Sequence, residues 1–422
     1  MSENIVSAFT GTLVDSTKLL GKITGRFIEW FIEPWITETN QDYDFENYFE
    51  NVKLFKTIDK EIIKPKQVAL YSSPAGKVYK FSVPLGMTLK DFLKEKDGIS
   101  TQIGKEINMR LKGSYVEIEI IENKLPKKIN YKLPSKAKND GIEITIGENL
   151  EGKIVINLKE NPHTYIVGTT GSGKSVCTKS ILTSISNLYS QNNLELYLCD
   201  LKRVELNLFS KLKHTKKFVY TVKDTTEVIR SLLEETENRY DLFMQNNVTN
   251  IFEYNKLNNV KKLKYQILFI EEVVMLLEDK SKKAMKLLKQ LIAISRASGC
   301  YVFITTQRPS NDIIDSIVKA NINNRIVFKC EDTKNSIVAL DKEGAENLEG
   351  KGHGILKQGY KIKEFRGYFI TDEQVNKYID KYRVKEKVIQ KEIEGIENKN
   401  IKENDKTNNE NILTDMSFLE NI

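Results

Sequence analysis

The chain has 422 residues, 40% hydrophobic and 29% charged, which excludes wholesale disorder, a collagen-like fibre and a disulfide scaffold and leaves room for two or three domains. Lys and Arg number 65 against 58 Asp and Glu, a net +7 that permits a polyanionic partner without requiring one. The longest run without a charged residue, Ser180 to Leu194, is diluted by Ser, Asn and Gln and falls short of the ~20 apolar residues of a membrane span. No basic start, apolar run and cleavage site opens the chain, so it is expected in the cytoplasm. Cys177, Cys199, Cys300 and Cys330 show no CxxC spacing and read as reduced, buried thiols.

In chain order, residues 1–60 are expected to form an N-terminal amphipathic helical region. Lys22, Arg26, Glu29 and Glu33 fall on one helical face, and Ile23, Phe27, Trp30 and Phe31 on the other. Such a helix can pack on its own domain, dock on a partner or lie peripherally on the inner face of the cell membrane. Residues 61–122 read as a small α+β domain. Tyr79, Phe81 and Val83 alternate as in a half-buried strand, Thr88 with Asp91 caps a helix running to about Arg110, and Val116, Ile118 and Ile120 alternate again. Residues 123–140 carry two prolines and six lysines and read as a basic linker.

Residues 141–384 alternate apolar β-rich runs (164–167, 195–199, 265–270, 301–306 and 325–328) with helical patterns. Strands apolar on both faces and separated by helices predict an α/β fold with a parallel sheet flanked by helices. Val228, Leu232, Thr236, Tyr240 and Phe243 mark one face of a long helix. Residues 385–422 read as a disordered polar tail. From Lys391 onward the tail carries four lysines against eight acidic residues, so residues 1–390 carry +11.

Gly168-Thr169-Thr170-Gly171-Ser172-Gly173-Lys174-Ser175 meets the GxxxxGK[ST] pattern and follows an apolar strand. Glycines let backbone N–H groups and a helix N-terminus point at phosphate oxygens; Lys174 then reaches the β- and γ-phosphates and Ser175 holds Mg²⁺. The strand 266–270 ends in Glu271-Glu272, one carboxylate for the metal and one to activate water. Gln307 ends another strand, where it can contact a γ-phosphate. Arg296 and Arg325 are candidates for a finger supplied to a neighbouring subunit; each also reads as a structural or surface arginine. Lys211, Lys213, Lys216 and Lys217 form a basic run that reads as a solvated face.

Taken together, these residues resemble the FtsK/SpoIIIE family of DNA-pumping ATPases over roughly residues 142 to 375. The likeness is carried by Asp200-Leu201-Lys202-Arg203-Val204-Glu205-Leu206, by Glu237-x-Arg239-Tyr240, by Thr306-Gln307-Arg308-Pro309-Ser310, by Asn324-Arg325-Ile326 and by Gly350-Lys351-Gly352. It implies a RecA-like P-loop NTPase motor, with ATP and Mg²⁺ as cofactors, assembled as a homo-oligomer, a hexameric ring, that threads double-stranded DNA, for which Lys211, Lys213, Lys216 and Lys217 are a candidate contact. Glu271 stands where the family usually has Asp. The absence of membrane spans and of a following DNA-reading domain makes the chain look like the coupling-protein branch of conjugative plasmids and integrative elements, whose partners are a relaxase and transfer-channel proteins. The alternatives are an FtsK-like motor in DNA segregation, replication or packaging, and a nucleotide-dependent DNA-binding scaffold with weak hydrolysis.

Overall fold

The computed structural model describes residues 43–58, 60–135 and 141–384, so the segment bearing Trp30 and Trp35 and the polar tail lie outside the described residues. Two compact units divide the chain at Leu125 and Pro126. In the first, Asp44 caps α1 (Phe45–Asn51) by accepting from the Asn47 N–H. Strands β1 (Lys56–Ile58) and β2 (Glu61–Ile63) form a hairpin. Strands β3 (Gln67–Ser73), β4 (Gly76–Ser82), β5 (Ile107–Lys112) and β6 (Tyr115–Ile121) form an antiparallel sheet in the order β3-β4-β6-β5.

Between β4 and β5, Asp91 accepts from the Thr88 N–H at 2.9 Å at the start of α2 (Leu89–Lys94), and α3 (Lys96–Ile103) follows. The expected helix to Arg110 is corrected. It stops at Gly104, whose φ of +68° suits the left-handed conformation that closes helices, and Ile107 and Met109 then alternate inward in β5. The unit also begins earlier than expected, because Phe45 and Phe49 pack in one core with Phe81 and Phe92.

The second unit is built on an eleven-stranded sheet. In chain order its elements are β7 (Ile129–Asn130), β8 (Glu143–Asn149), β9 (Gly152–Asn157), β10 (Thr164–Val167), α4 (Lys174–Leu188), β11 (Leu194–Asp200), β12 (Thr215–Val219), α5 (Val222–Gln245), α6 (Ile251–Tyr254), β13 (Tyr265–Glu271), α7 (Lys283–Ile294), β14 (Cys300–Thr306), α8 (Ser316–Asn321), β15 (Asn324–Phe328), α9 (Thr333–Leu340), β16 (His353–Gln358), β17 (Lys361–Phe369) and α10 (Asp372–Ile379). Strands β12-β11-β13-β14-β10-β15 are parallel, as expected. The sheet as a whole is mixed, because β16, β17, β8 and β9 continue it antiparallel. The links between β16 and β17 and between β8 and β9 are two residues long, too short for the helical crossover that parallel neighbours need.

Alternation along each central strand divides the core. Leu268 and Ile270 of β13 pack on one face with α5 and α7, while Ile267 and Phe269 pack on the other with α4. The central strands are therefore dry on both sides, and their ends are where polar groups can gather. The Phe269 and Phe303 rings stack at 5.3 Å between centroids, both fully buried. Replacing Phe269 with Ala is expected to remove about 3–5 kcal/mol of stability, read as a lower urea midpoint at unchanged slope; a midpoint equal to wild type would contradict this packing account.

Candidate active site

The phosphate loop connects β10 to α4, and its shape is set by what lies behind it. Gly173 has φ +115°, and a Cβ there would sit 2.5 Å from the Gly352 nitrogen. Glycine is needed on both counts. The Gly352 N–H donates to the Ser172 carbonyl at 2.7 Å and the Lys351 N–H to the Gly171 carbonyl at 3.4 Å, so segment 350–352 engages loop carbonyls from behind. Arg366, buried in β17, braces that segment. Its guanidinium donates to the carbonyls of Gly350 (3.1 Å) and Pro126 (2.9 Å) and to Glu349 (2.5 Å).

Strands β13, β14 and β10 lie side by side, and their ends bring Lys174, Glu271, Glu272 and Gln307 together. The Lys174 ammonium makes a short hydrogen-bonded ion pair with Glu271; the two side chains are 3% and 1% exposed. Burial pushes the Glu271 carboxyl above the ordinary glutamate range, with Lys174 opposing. Its Oε2 has no partner. Glu272 is bent back by a left-handed backbone, φ +60° and ψ +62°, a conformation that costs a side-chain-bearing residue roughly 1–2 kcal/mol. Its Oε1 accepts from Thr306 Oγ1 (2.7 Å) and the Gln307 N–H (3.2 Å), and its Oε2 from Lys202 Nζ (2.6 Å). Burial acts to raise the Glu272 pKa, but these bonds outweigh it and hold it below the usual range. Gln307 also accepts from Thr170 Oγ1 at 3.4 Å, linking the phosphate loop to the Glu272 shelf.

The end of β11 and the turn after it contribute four residues. Asp200 Oδ2 accepts from the N–H groups of Glu205 (3.0 Å) and Leu206 (2.9 Å), Lys202 holds Glu272, Glu205 accepts from Ser175 Oγ at 2.7 Å, and Leu206 is buried in the core. Beside the loop opens a cleft of about 410 Å³ whose far wall is Lys127, Lys128, Gly352, Tyr368 and Phe369. The Lys128 ammonium lies 4.0 Å from the Phe369 ring centroid. Residues 126–130 were expected to be linker; instead β7 pairs with the end of β17, and Lys127 and Lys128 just before it line this wall. The shape suits a nucleotide, with polar phosphate binding at one end and an apolar aromatic surface at the other.

The other candidates lie elsewhere. Arg325 and Arg296 sit at the opposite end of the strands from the phosphate loop, Arg325 near the start of β15 and Arg296 just before β14. Arg325 is buried and tied to Asp341 at 2.6 Å, whereas Arg296 is exposed and donates to the Glu160 carbonyl at 3.4 Å. Lys211, Lys213, Lys216 and Lys217 are all exposed on and before the edge strand β12. Among the described residues, no three His, Cys, Asp or Glu groups are placed to cage a metal ion, and no helix is long and apolar enough to cross a membrane. The four cysteines are free and buried, as expected.

A glycine-rich loop between a parallel strand and a helix, with carboxylates at the adjacent strand ends, defines a P-loop NTPase fold. Residues 134–311 match the family described as the FtsK/SpoIIIE family, so the chain contains an FtsK/SpoIIIE family domain. The chain is 29% identical over 369 residues to the DNA translocase SpoIIIE of Bacillus subtilis, covering 81% of this chain and 46% of that one. It is 31% identical over 343 residues to the DNA translocase FtsK of Clostridium tetani, covering 78% and 46%. It thus spans about half the length of these relatives. The structure of the pCW3 conjugation coupling protein TcpA, in monomer form with ATPγS, shares the fold at a TM-score of 0.58 and 23% identity, over 79% of this chain and 96% of that one.

The depressed Glu272 pKa sets a sign. A carboxyl whose folded pKa lies below its unfolded one stabilises the fold above the unfolded value, near 4.5, and loses that contribution as pH falls through the folded value. Lys202→Met removes a lowering contact. The stability difference between wild type and variant is therefore expected to be present at about pH 7 and to shrink toward zero at about pH 3, as followed by thermal melts. A difference that grows on acidification would contradict the assignment.

Proposed function

We propose that the chain is an ATP-driven motor for double-stranded DNA, working as a homo-oligomeric ring, a hexamer, and that it brings DNA to a conjugative transfer apparatus through contacts with a relaxase and channel proteins. The observation that carries this reading is the convergence of Lys174, Glu271, Glu272 and Gln307 on one phosphate loop. Residues 168–175 bind the phosphates through loop N–H groups and Lys174. Ser175 and Glu271 are the residues that fit Mg²⁺: Glu271 Oε2 is buried without a partner, and hydroxyl and carboxylate oxygens are the donors a hard cation takes. When bound, the ion supplies charge neutralisation to the β- and γ-phosphate oxygens.

Glu272 accepts the proton of the attacking water. Its fixed orientation, from Thr306, the Gln307 N–H and Lys202, is the positioning on which phosphoryl transfer depends. Gln307, bonded both to the loop and to Glu272, reports phosphate occupancy to the strand ends. Arg296, exposed and away from its own loop, is the candidate for a finger acting on a neighbouring subunit, whereas Arg325 is engaged by Asp341 within its own. The four lysines on and before β12 supply sequence-independent, salt-sensitive contacts to DNA phosphates. The conjugative reading is supported by a fold shared over nearly the whole of TcpA.

ATP turnover by the full chain is expected to rise on adding duplex DNA. Glu272→Gln is expected to lower turnover by ~10²–10⁴-fold while ATPγS binding persists, and Lys174→Ala to lose binding. Turnover that is indifferent to both substitutions would overturn the motor reading. Loss of plasmid transfer, with chromosome segregation intact, on deleting the coding sequence would separate the conjugative role from the others; the converse phenotype would contradict it.

A further inference from the structure

The strongest unexplained contact in the site is the hydrogen bond from Ser175 Oγ to Glu205 Oε1 at 2.7 Å. We propose that Glu205 belongs to the divalent-cation site: by taking the proton of the Ser175 hydroxyl, it leaves that oxygen's lone pairs for a cation bound with the nucleotide. This rests on the nucleotide-site reading above. A serine hydroxyl has one proton to donate and two lone pairs to offer, so an acceptor that fixes the proton also fixes the direction of the lone pairs. Partners of this kind usually change metal affinity about 10–100-fold.

Three observations place Glu205 there by construction. Its backbone is held by Asp200, which ends β11 in register with Glu271 at the end of β13. Two carboxylate oxygens at these strand ends, Asp200 Oδ1 and Glu271 Oε2, have no hydrogen-bond partner, although the residues are 0% and 1% exposed; buried unpartnered carboxylate oxygens are costly. Four carboxylates, Asp200, Glu205, Glu271 and Glu272, stand against two ammonium groups, Lys174 and Lys202, a formal excess of two negative charges that a divalent cation cancels. The lack of a three-ligand cage among the described residues agrees with Mg²⁺, which takes one or two protein oxygens and completes its shell with phosphate and water.

The test is calorimetric titration of the full chain with ATPγS, at a series of Mg²⁺ concentrations and in EDTA. Glu205→Ala is expected to need about 10–100-fold more Mg²⁺ for half-maximal tight binding, with affinity in EDTA unchanged. Glu205→Gln, which keeps an acceptor for Ser175 but loses the charge and preserves the fold more closely, is expected to fall between. An unchanged Mg²⁺ requirement in both variants overturns the proposal. So does an equal loss with and without Mg²⁺, which would make Glu205 a builder of the loop and nothing more. Failure of the wild-type chain to bind ATPγS under any condition would instead remove the nucleotide reading, and Glu205's role with it.

Discussion

The buried pair of Lys174 and Glu271 is the constraint from which the rest of the site follows. Two charges that are almost wholly removed from water are tolerable only while they face each other, and breaking such a pair by removing one partner costs about 3–5 kcal/mol. The pairing needs β10, β14 and β13 as parallel neighbours, so that the loop after the first and the carboxylate ending the third meet across the second. On the proposed reading, a polyphosphate would draw Lys174 away, and Glu271, once released, would be a buried carboxylate in need of a cation.

The surroundings serve the same end by restricting movement. Arg366 clamps segment 350–352 against the phosphate loop and ties it to Pro126. The segment after β11 sends Lys202 to Glu272 and Glu205 to Ser175, so a single turn touches both a strand-end carboxylate and the start of α4. The positive charge of residues 1–390 is distributed differently. Arg325 is absorbed by Asp341 within the subunit, while the four lysines at the β12 edge remain at the surface.

Much of this was legible in the sequence where one residue type has few alternatives. Gly173 could be read because only glycine fits its backbone, and the central strands because both of their faces are apolar. The antiparallel wing was not legible: residues 361–366 read Lys-Ile-Lys-Glu-Phe-Arg, a pattern whose buried face becomes apparent only once β16 and β8 lie beside it. Strand β5 was lost for a related reason, since the helix before it and its own alternation overlap near Gly104. Residues 126–130 resemble a linker in composition because their role comes from backbone pairing to β17 and from two exposed lysine stems. Arg366 gave no local signal, because it acts on segments distant in sequence; Glu205 was read only as part of the 200–206 run, without its contact to Ser175.

The central claim is that nucleotide turnover at this site moves the protein along DNA. Triplex displacement measures that directly, with the full chain acting on linear duplex carrying a bound third strand. The account predicts displacement with ATP and none with ATPγS. Equal displacement with both nucleotides, or ATP turnover stimulated by DNA without displacement, would contradict it.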